Sequence, residues 1–200
     1  MGRSGLGLSV CLSVLMVLAG SVVTEAMPSD PAYLRMGAVQ APPRGAEDLC
    51  VAHVWACRVD GMSSPVSAKS QMTIVTMINR EINATVPEIS DLAQYGELER
   101  WALPTARGGD CEDIAMRKKS DLIEAGIAPQ GLMLSTVLDR DLNAHAVLVF
   151  RSESGDLVLD NLTDRILPWA ETGYSFLRMQ DPASPDRWRA VLSGGIFGGE

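Results

Sequence analysis

The sequence predicts an α+β fold, in which helices pack on an antiparallel sheet. Three observations carry that prediction. Ile74, Ile78 and Ile82 recur every four residues between Ser67 and Thr85, the period of a helix with one buried stripe. The run Gly108-Gly109-Asp110-Cys111-Glu112-Asp113 joins two glycines to acids spaced like a capping box, so a second helix should begin there with Cys111 in its first turn. Beyond it, Leu132 to Leu138, Ala144 to Phe150 and Leu157 to Leu162 are short runs rich in apolar residues, separated by turn-forming clusters, and read as strands.

Taken in order, the 200-residue chain opens on a secretory signal over residues 1–26. Arg3 gives the positive start, Leu6 to Ala19 the apolar core, and Thr24-Glu25-Ala26 the cleavage point. An uncleaved anchor is the alternative, since the apolar run is borderline for the ~20 residues that span a bilayer. The chain would meet a membrane only in that form. Residues 27–46, with Pro28, Pro31, Pro42 and Pro43, read as an extended arm with little regular structure. A single domain then fills 47–200. Cys50 and Cys57 follow the arm, and once Cys11 is removed with the signal, three cysteines remain. An odd count in an exported chain fits one disulfide and one working thiol; a metal knuckle formed by Cys50, His53 and Cys57 is the competing reading and lacks a fourth ligand.

The helix from Ser67 stops before Pro87, and Ser90 to Gly96 reads as a turn-rich connection to Trp101. Trp101 and Pro104 act as an anchor and a turn for the loop that feeds the Cys111 helix, with substrate contact as the second reading. That helix should run from Asp110 to Ala125 and close on Gly126. Lys118 falls on its apolar stripe and is expected to snorkel, while Arg117, Lys118 and Lys119 read as a solvated basic face. After the strands, Pro168-Trp169 breaks the sheet, Tyr174 to Met179 forms one more strand, Asp181 to Pro185 turns, and the glycine-rich tail from Gly194 frays.

Chemistry concentrates at Cys111. A thiol at a helix start feels the positive end of the dipole, which favours the nucleophilic thiolate. A nucleophile needs a base and the base an orienting group. Of the two histidines only His145 lies in a strand, and Asp160 sits in the next one among apolar residues, where a carboxylate needs a partner. If the two strands form a hairpin with a four-residue loop at 151–154, His145 lies directly opposite Asp160. A two-residue Ser154-Gly155 turn would slide them four positions apart, about 13 Å at ~3.3 Å per residue.

Trp101-x-x-Pro104, the Gly-Gly-Asp-Cys-Glu-Asp core, Asn143 to Leu148 and Leu157 to Leu162 together resemble the bacterial transglutaminase-like cysteine proteinases. That family includes periplasmic proteases that release adhesins from the cell surface. The resemblance runs from about Cys50 past Asp160. It implies a papain/transglutaminase-like fold, with the nucleophile at the N-terminus of a helix packed on an antiparallel β-sheet that carries the His and the Asp. It further implies Cys111 as nucleophile, His145 as general base and acid, Asp160 as orienting carboxylate, and a Cys50–Cys57 disulfide. The expected activity is that of an exported, periplasmic or secreted cysteine endopeptidase, its partner a protein substrate such as a surface adhesin.

Three acids around the thiol oppose the helix dipole, since Asp110, Glu112 and Asp113 would raise its pKa. A hard cation would resolve the conflict, and the resemblance points to calcium at Asp110 and Glu112 with oxygens from the 140–143 loop. Simple helix capping by the acids is the alternative. The mature segment keeps a charge of −8, because removing Arg3 and Glu25 leaves 16 basic against 24 acidic residues. That balance, with no basic cluster, argues against nucleic acid. Two other functions fit the same residues: a transglutaminase-type acyl transferase, and a non-catalytic, calcium-responsive binding module.

Overall fold

The computed structural model describes residues 1–2, 32–59 and 67–198, so the predicted signal segment, apart from Met1 and Gly2, lies outside the described residues, as do residues 27–31 of the predicted arm. The elements are β1 (Val39–Gln40), α1 (Leu49–Ala52), α2 (Ala68–Thr85), α3 (Asp91–Tyr95), α4 (Cys111–Glu124), β2 (Leu132–Leu138), β3 (Ala144–Ser152), β4 (Gly155–Leu159), β5 (Leu167–Pro168), β6 (Ser175–Asp181) and β7 (Ser184–Ser193). The seven strands form one antiparallel sheet in the order β1-β7-β6-β2-β3-β4-β5. Among the described residues no helix is long and apolar enough to cross a membrane.

Alternation along the strands gives the sheet two apolar faces. Leu132, Leu134, Leu148, Phe150 and Leu159 join a core with Ile78 and Ile82 of α2 and Ile114, Met116 and Leu122 of α4. Met133, Val147, Val149 and Val158 point the other way, into a cluster with Trp169, Tyr174 and Phe176.

Helix α2 follows its isoleucine period and is capped by Ser67, whose side chain accepts the Ser70 N–H. Helix α4 ends in a Schellman arrangement: Gly126, at φ 88°, donates to the Ile123 carbonyl and Ile127 to that of Leu122. The Ser90–Gly96 connection is more regular than its composition indicates. It holds helix α3, capped by Ser90 and closed by left-handed Gly96. The unpredicted β7 is the longest strand; Asp186, Arg187 and Arg189 interrupt its apolar positions and mask it in the sequence.

Two basic residues break the sequence reading. Arg117 is half-exposed and paired with Asp121 at 2.8 Å, but Lys118 and Lys119 are fully buried, so no solvated basic face forms. Lys119 Nζ donates to the Ala56 carbonyl and to Gln180 Oε1, both at 2.7 Å. Lys118 Nζ has no hydrogen-bond partner and does not snorkel. Burial holds both amines down to about 7, with Asp160 and Asp164 partly offsetting it at Lys118.

Residues 32–46 of the predicted arm are bound along the domain and contribute β1 to the sheet. Asp156 N–H donates to the Ala32 carbonyl, Leu34 N–H to the Asp156 carboxylate, and Gly37 N–H to the Ala190 carbonyl. Cys50 and Cys57 form a disulfide with Cα atoms 5.5 Å apart, which removes the metal-knuckle alternative. His53 packs its ring 5.8 Å from that of Trp55.

Candidate active site

The loop before α4 explains the glycine pair. Gly108 lies at φ 117°, and a Cβ there would fall 1.9 Å from the Pro87 carbonyl oxygen; a Cβ on Gly109 would meet the Asp113 side chain at 2.6 Å. Gly109 N–H donates to Pro87 O, and Ile89 N–H to Gly109 O. The expected capping box is absent. Asp110 is the N-cap residue but makes no side-chain cap bond; its Oδ2 instead accepts the Asp91 N–H at 3.1 Å. Asp113 Oδ1 accepts the Ala102 N–H at 2.8 Å, which ties the Trp101 loop to α4. The tertiary donors outcompete the local ones because both carboxylates face inward.

Trp101 is buried, its ring edge-on to Trp188 at 5.5 Å, and it also borders an open cleft of about 420 Å³. The same cleft is lined by Cys111, His145, Leu98, Val137 and Arg178. Arg44 and Pro43 of the arm form part of its wall, where Arg178 Nη1 donates to the Ala41 and Pro42 carbonyls.

His145 Nε2 lies 2.9 Å from Asp160 Oδ1, and both groups are buried. The hairpin that joins them has neither of the two registers considered from sequence. Ser152 pairs with Gly155 and Leu148 with Leu159, so the turn is Glu153-Ser154 and the pairing falls midway between the two. Ser152 Oγ accepts the Ser154 N–H and donates to the Gly155 carbonyl, which stabilises this shorter turn. β4 also ends at Leu159, earlier than predicted, and Asp160 reaches back from just past the strand. Parity was the part that mattered: a two-residue offset keeps both side chains on one face.

Asp160 is held on every side. Oδ1 also accepts the Leu162 N–H at 3.0 Å, and Oδ2 accepts the Tyr174 hydroxyl at 2.5 Å. Burial would raise this carboxyl, but bonds from His145, Tyr174 and Leu162 hold it below its ordinary value. The Asp160 carbonyl accepts Asn83 Nδ2 of α2 at 2.9 Å.

The thiol is in a different electrostatic state from the one the dipole argument predicts. Burial, then the Glu112 carboxyl beside it, push the Cys111 pKa well up, against a smaller lowering from the Ala146 backbone N–H. Its Sγ donates to Glu112 Oε2 at 3.2 Å. Ala146 follows His145 on β3, so the sulfur abuts the strand that carries the imidazole.

Asp91, Asp110 and Glu112 bring one carboxylate oxygen each to within 4.8 Å of one another. Asp91 belongs to the connection read as a turn, and its place beside residues 19 and 21 positions later had no local signal. Burial raises Asp91 and Glu112, and Asp110 raises both further. Asp91 Oδ1 and Asp110 Oδ1 are buried without partners. Converging, desolvated carboxylates with spare oxygens match the donor set of a hard cation.

Residues 36–195 match the family model of the bacterial transglutaminase-like cysteine proteinases. No curated protein matches the sequence. Among solved structures, calcium-bound LapG of Legionella pneumophila aligns with a TM-score of 0.52 at 23% identity, over 66% of this chain and 74% of that one. A second LapG structure aligns with a TM-score of 0.47 at 24% identity, over 58% and 66% of the two chains. EGTA-treated LapG gives 0.47 at 24% identity, over 58% and 64%. At 23% identity the first of these likenesses concerns the fold.

Proposed function

The chain belongs to the bacterial transglutaminase-like cysteine proteinases, and from that premise we propose that Cys111, His145 and Asp160 are the triad with which it cleaves a protein of the cell envelope. Family membership makes it a cysteine peptidase acting on protein and sets aside the non-catalytic module. The observation that carries the triad is the 2.9 Å bond between Asp160 and His145, whose imidazole lines the cleft that holds the only free thiol among the described residues.

A carboxylate only accepts, so Nε2 of His145 carries the proton and Nδ1 is left as the base. In the reaction Nδ1 takes the Cys111 proton as sulfur attacks the scissile carbonyl, then returns it to the leaving amine. Water, deprotonated by the same nitrogen, releases the acyl-enzyme and restores the thiol. Asp160 stabilises the imidazolium formed in between. The backbone N–H of Cys111, at the positive end of α4, is the proposed oxyanion donor.

Asp91, Asp110 and Glu112 would hold calcium, the ion named with the LapG structure. When bound, its charge would offset the carboxylates that now hold the thiol protonated. The disulfide supports an oxidising compartment, periplasmic or secreted, as does the signal read in the sequence. A surface adhesin is the substrate proposed, on the resemblance alone.

The test is stoichiometric labelling of Cys111 by a thiol-directed probe, with calcium and with chelator. Labelling should be fast with calcium and lost in His145→Ala; slow labelling indifferent to His145 would overturn the triad. Envelope proteins incubated with native chain and with Cys111→Ala should differ by new termini, whereas an incorporated amine in place of a cut would indicate acyl transfer.

A further inference from the structure

The proposed triad leaves one polar contact at its centre unused. Asp160 Oδ2 faces away from the imidazole and receives the Tyr174 hydroxyl at 2.5 Å, while the Tyr174 ring stands edge-on to the His145 ring, centroids 5.9 Å apart at 87°. Tyr174 is buried. Its own backbone is fastened: its N–H donates to Thr172 Oγ1 at 3.1 Å, Thr172 Oγ1 to the Trp169 carbonyl at 2.7 Å, and Arg140 Nε to the Thr172 carbonyl at 2.7 Å. Gly173 supplies the left-handed turn between them, at φ 75°.

Resting on the triad reading above, we infer that Tyr174 is a positioning residue, which fixes the Asp160 carboxylate and the plane of the imidazole so that His145 keeps its proton on Nε2. Without a donor on Oδ2 the carboxylate, held otherwise only through Oδ1, can turn about its last bond and leave Nε2 without its acceptor, and the ring proton is then free to move to Nδ1. The phenol closes that freedom. It acts as a donor throughout the working pH range, because burial and then Asp160 push its pKa well above the ordinary value. The aromatic edge prevents the ring rotation that would carry Nδ1 away from the sulfur. One side chain thus holds both partners of the dyad.

The experiment uses the full chain with excess calcium chloride and iodoacetamide as the thiol probe. Tyr174→Phe keeps the ring and removes the donor. It is expected to slow alkylation of Cys111 at pH 6–7 about tenfold, the effect typical of losing an outer partner of a positioned imidazole. With only two histidines in the sequence, nitrogen-15 spectra read His145 directly once His53→Gln has identified the other signal. The native spectrum should show one tautomer, protonated at Nε2, and the Phe variant a mixture. An unchanged rate, or a slower rate with the single tautomer retained, overturns the inference. Should the variant not fold, 3-fluorotyrosine at Tyr33, Tyr95 and Tyr174 gives a more acidic phenol. That must shift the His145 signal, and a signal that stays put overturns the inference equally. His145→Ala at native rates would instead fell the triad itself.

Discussion

The two halves of α4 bury charge of opposite sign in opposite ways. At its N-terminal end Glu112 and Asp113 are buried beside Asp91 and Asp110, with no cationic side chain bonded to any of them among the described residues, and oxygens of Asp91, Asp110 and Glu112 converge. Two turns on, Lys118 and Lys119 are as deeply buried and diverge: one reaches two neutral oxygens, the other none. A buried charge must be paired, neutralised or hydrogen-bonded. The lysines meet that demand by giving up protons or by bonding to neutral groups, which makes them structural. The acids gather at one point, which leaves room for a ligand.

The largest expected effect separates the halves through the metal. At a calcium concentration about a hundred times Kd, linkage gives roughly 2.7 kcal/mol. For a chain of this size that is a rise in Tm of about 5–10 °C. Glu112→Gln should abolish the rise and with it peptide cleavage, while leaving the metal-free Tm within about 2 °C, since Gln mimics the protonated acid. A calcium shift that survives the substitution would break the comparison.

The next effect has opposite signs at adjacent residues. Lys118→Met removes an unpartnered buried amine and should stabilise by about 1–4 kcal/mol at pH 7. Lys119→Met removes a donor from the Ala56 carbonyl and one from Gln180 Oε1, which keep only the bonds from Gln180 Nε2 and Leu134 N–H, and should destabilise by about 1–3 kcal/mol. Urea titrations read both. The amine of Lys118 falls from 10.5 to about 7 on folding, so its stabilising share is full at high pH and is lost as pH falls from 10.5 to 7. Native midpoints should drop across that window and those of Lys118→Met should drop less. Equal slopes would mean that the amine is solvated.

The smallest effect concerns Asp110. Asp110→Asn keeps an acceptor for the Asp91 N–H and removes only the charge, so it should change metal-free stability by less than about 0.5 kcal/mol. A larger loss in chelator would mean that the charge itself stabilises the start of α4.

Local signals made the scaffold legible. The isoleucine period marked α2, the glycine pair the start of α4, and apolar alternation β2 to β4. The same signals indicated that His145 and Asp160 share a face, because parity survives a two-residue slide. The slide itself was hidden in the bonds of one serine hydroxyl within a turn. What sequence could not show was long-range pairing. Asp91 meets Asp110, Tyr174 meets Asp160, and Lys119 meets a carbonyl 63 residues away. Of the three successive basic residues, Lys119 read as surface because its partners are a neutral carbonyl and a neutral amide, which carry no compositional mark.

The arm has one more consequence. Residues 32–46 form a belt pinned at Asp156, Ala190 and Arg178, and the belt supplies one bank of the cleft without supplying any member of the proposed triad. A nick in this belt would therefore leave sulfur, imidazole and carboxylate where they are and take away the surface against which an extended peptide can lie. The nicked enzyme would still react with small electrophiles while failing on protein, so recognition and reactivity in this molecule can be lost separately.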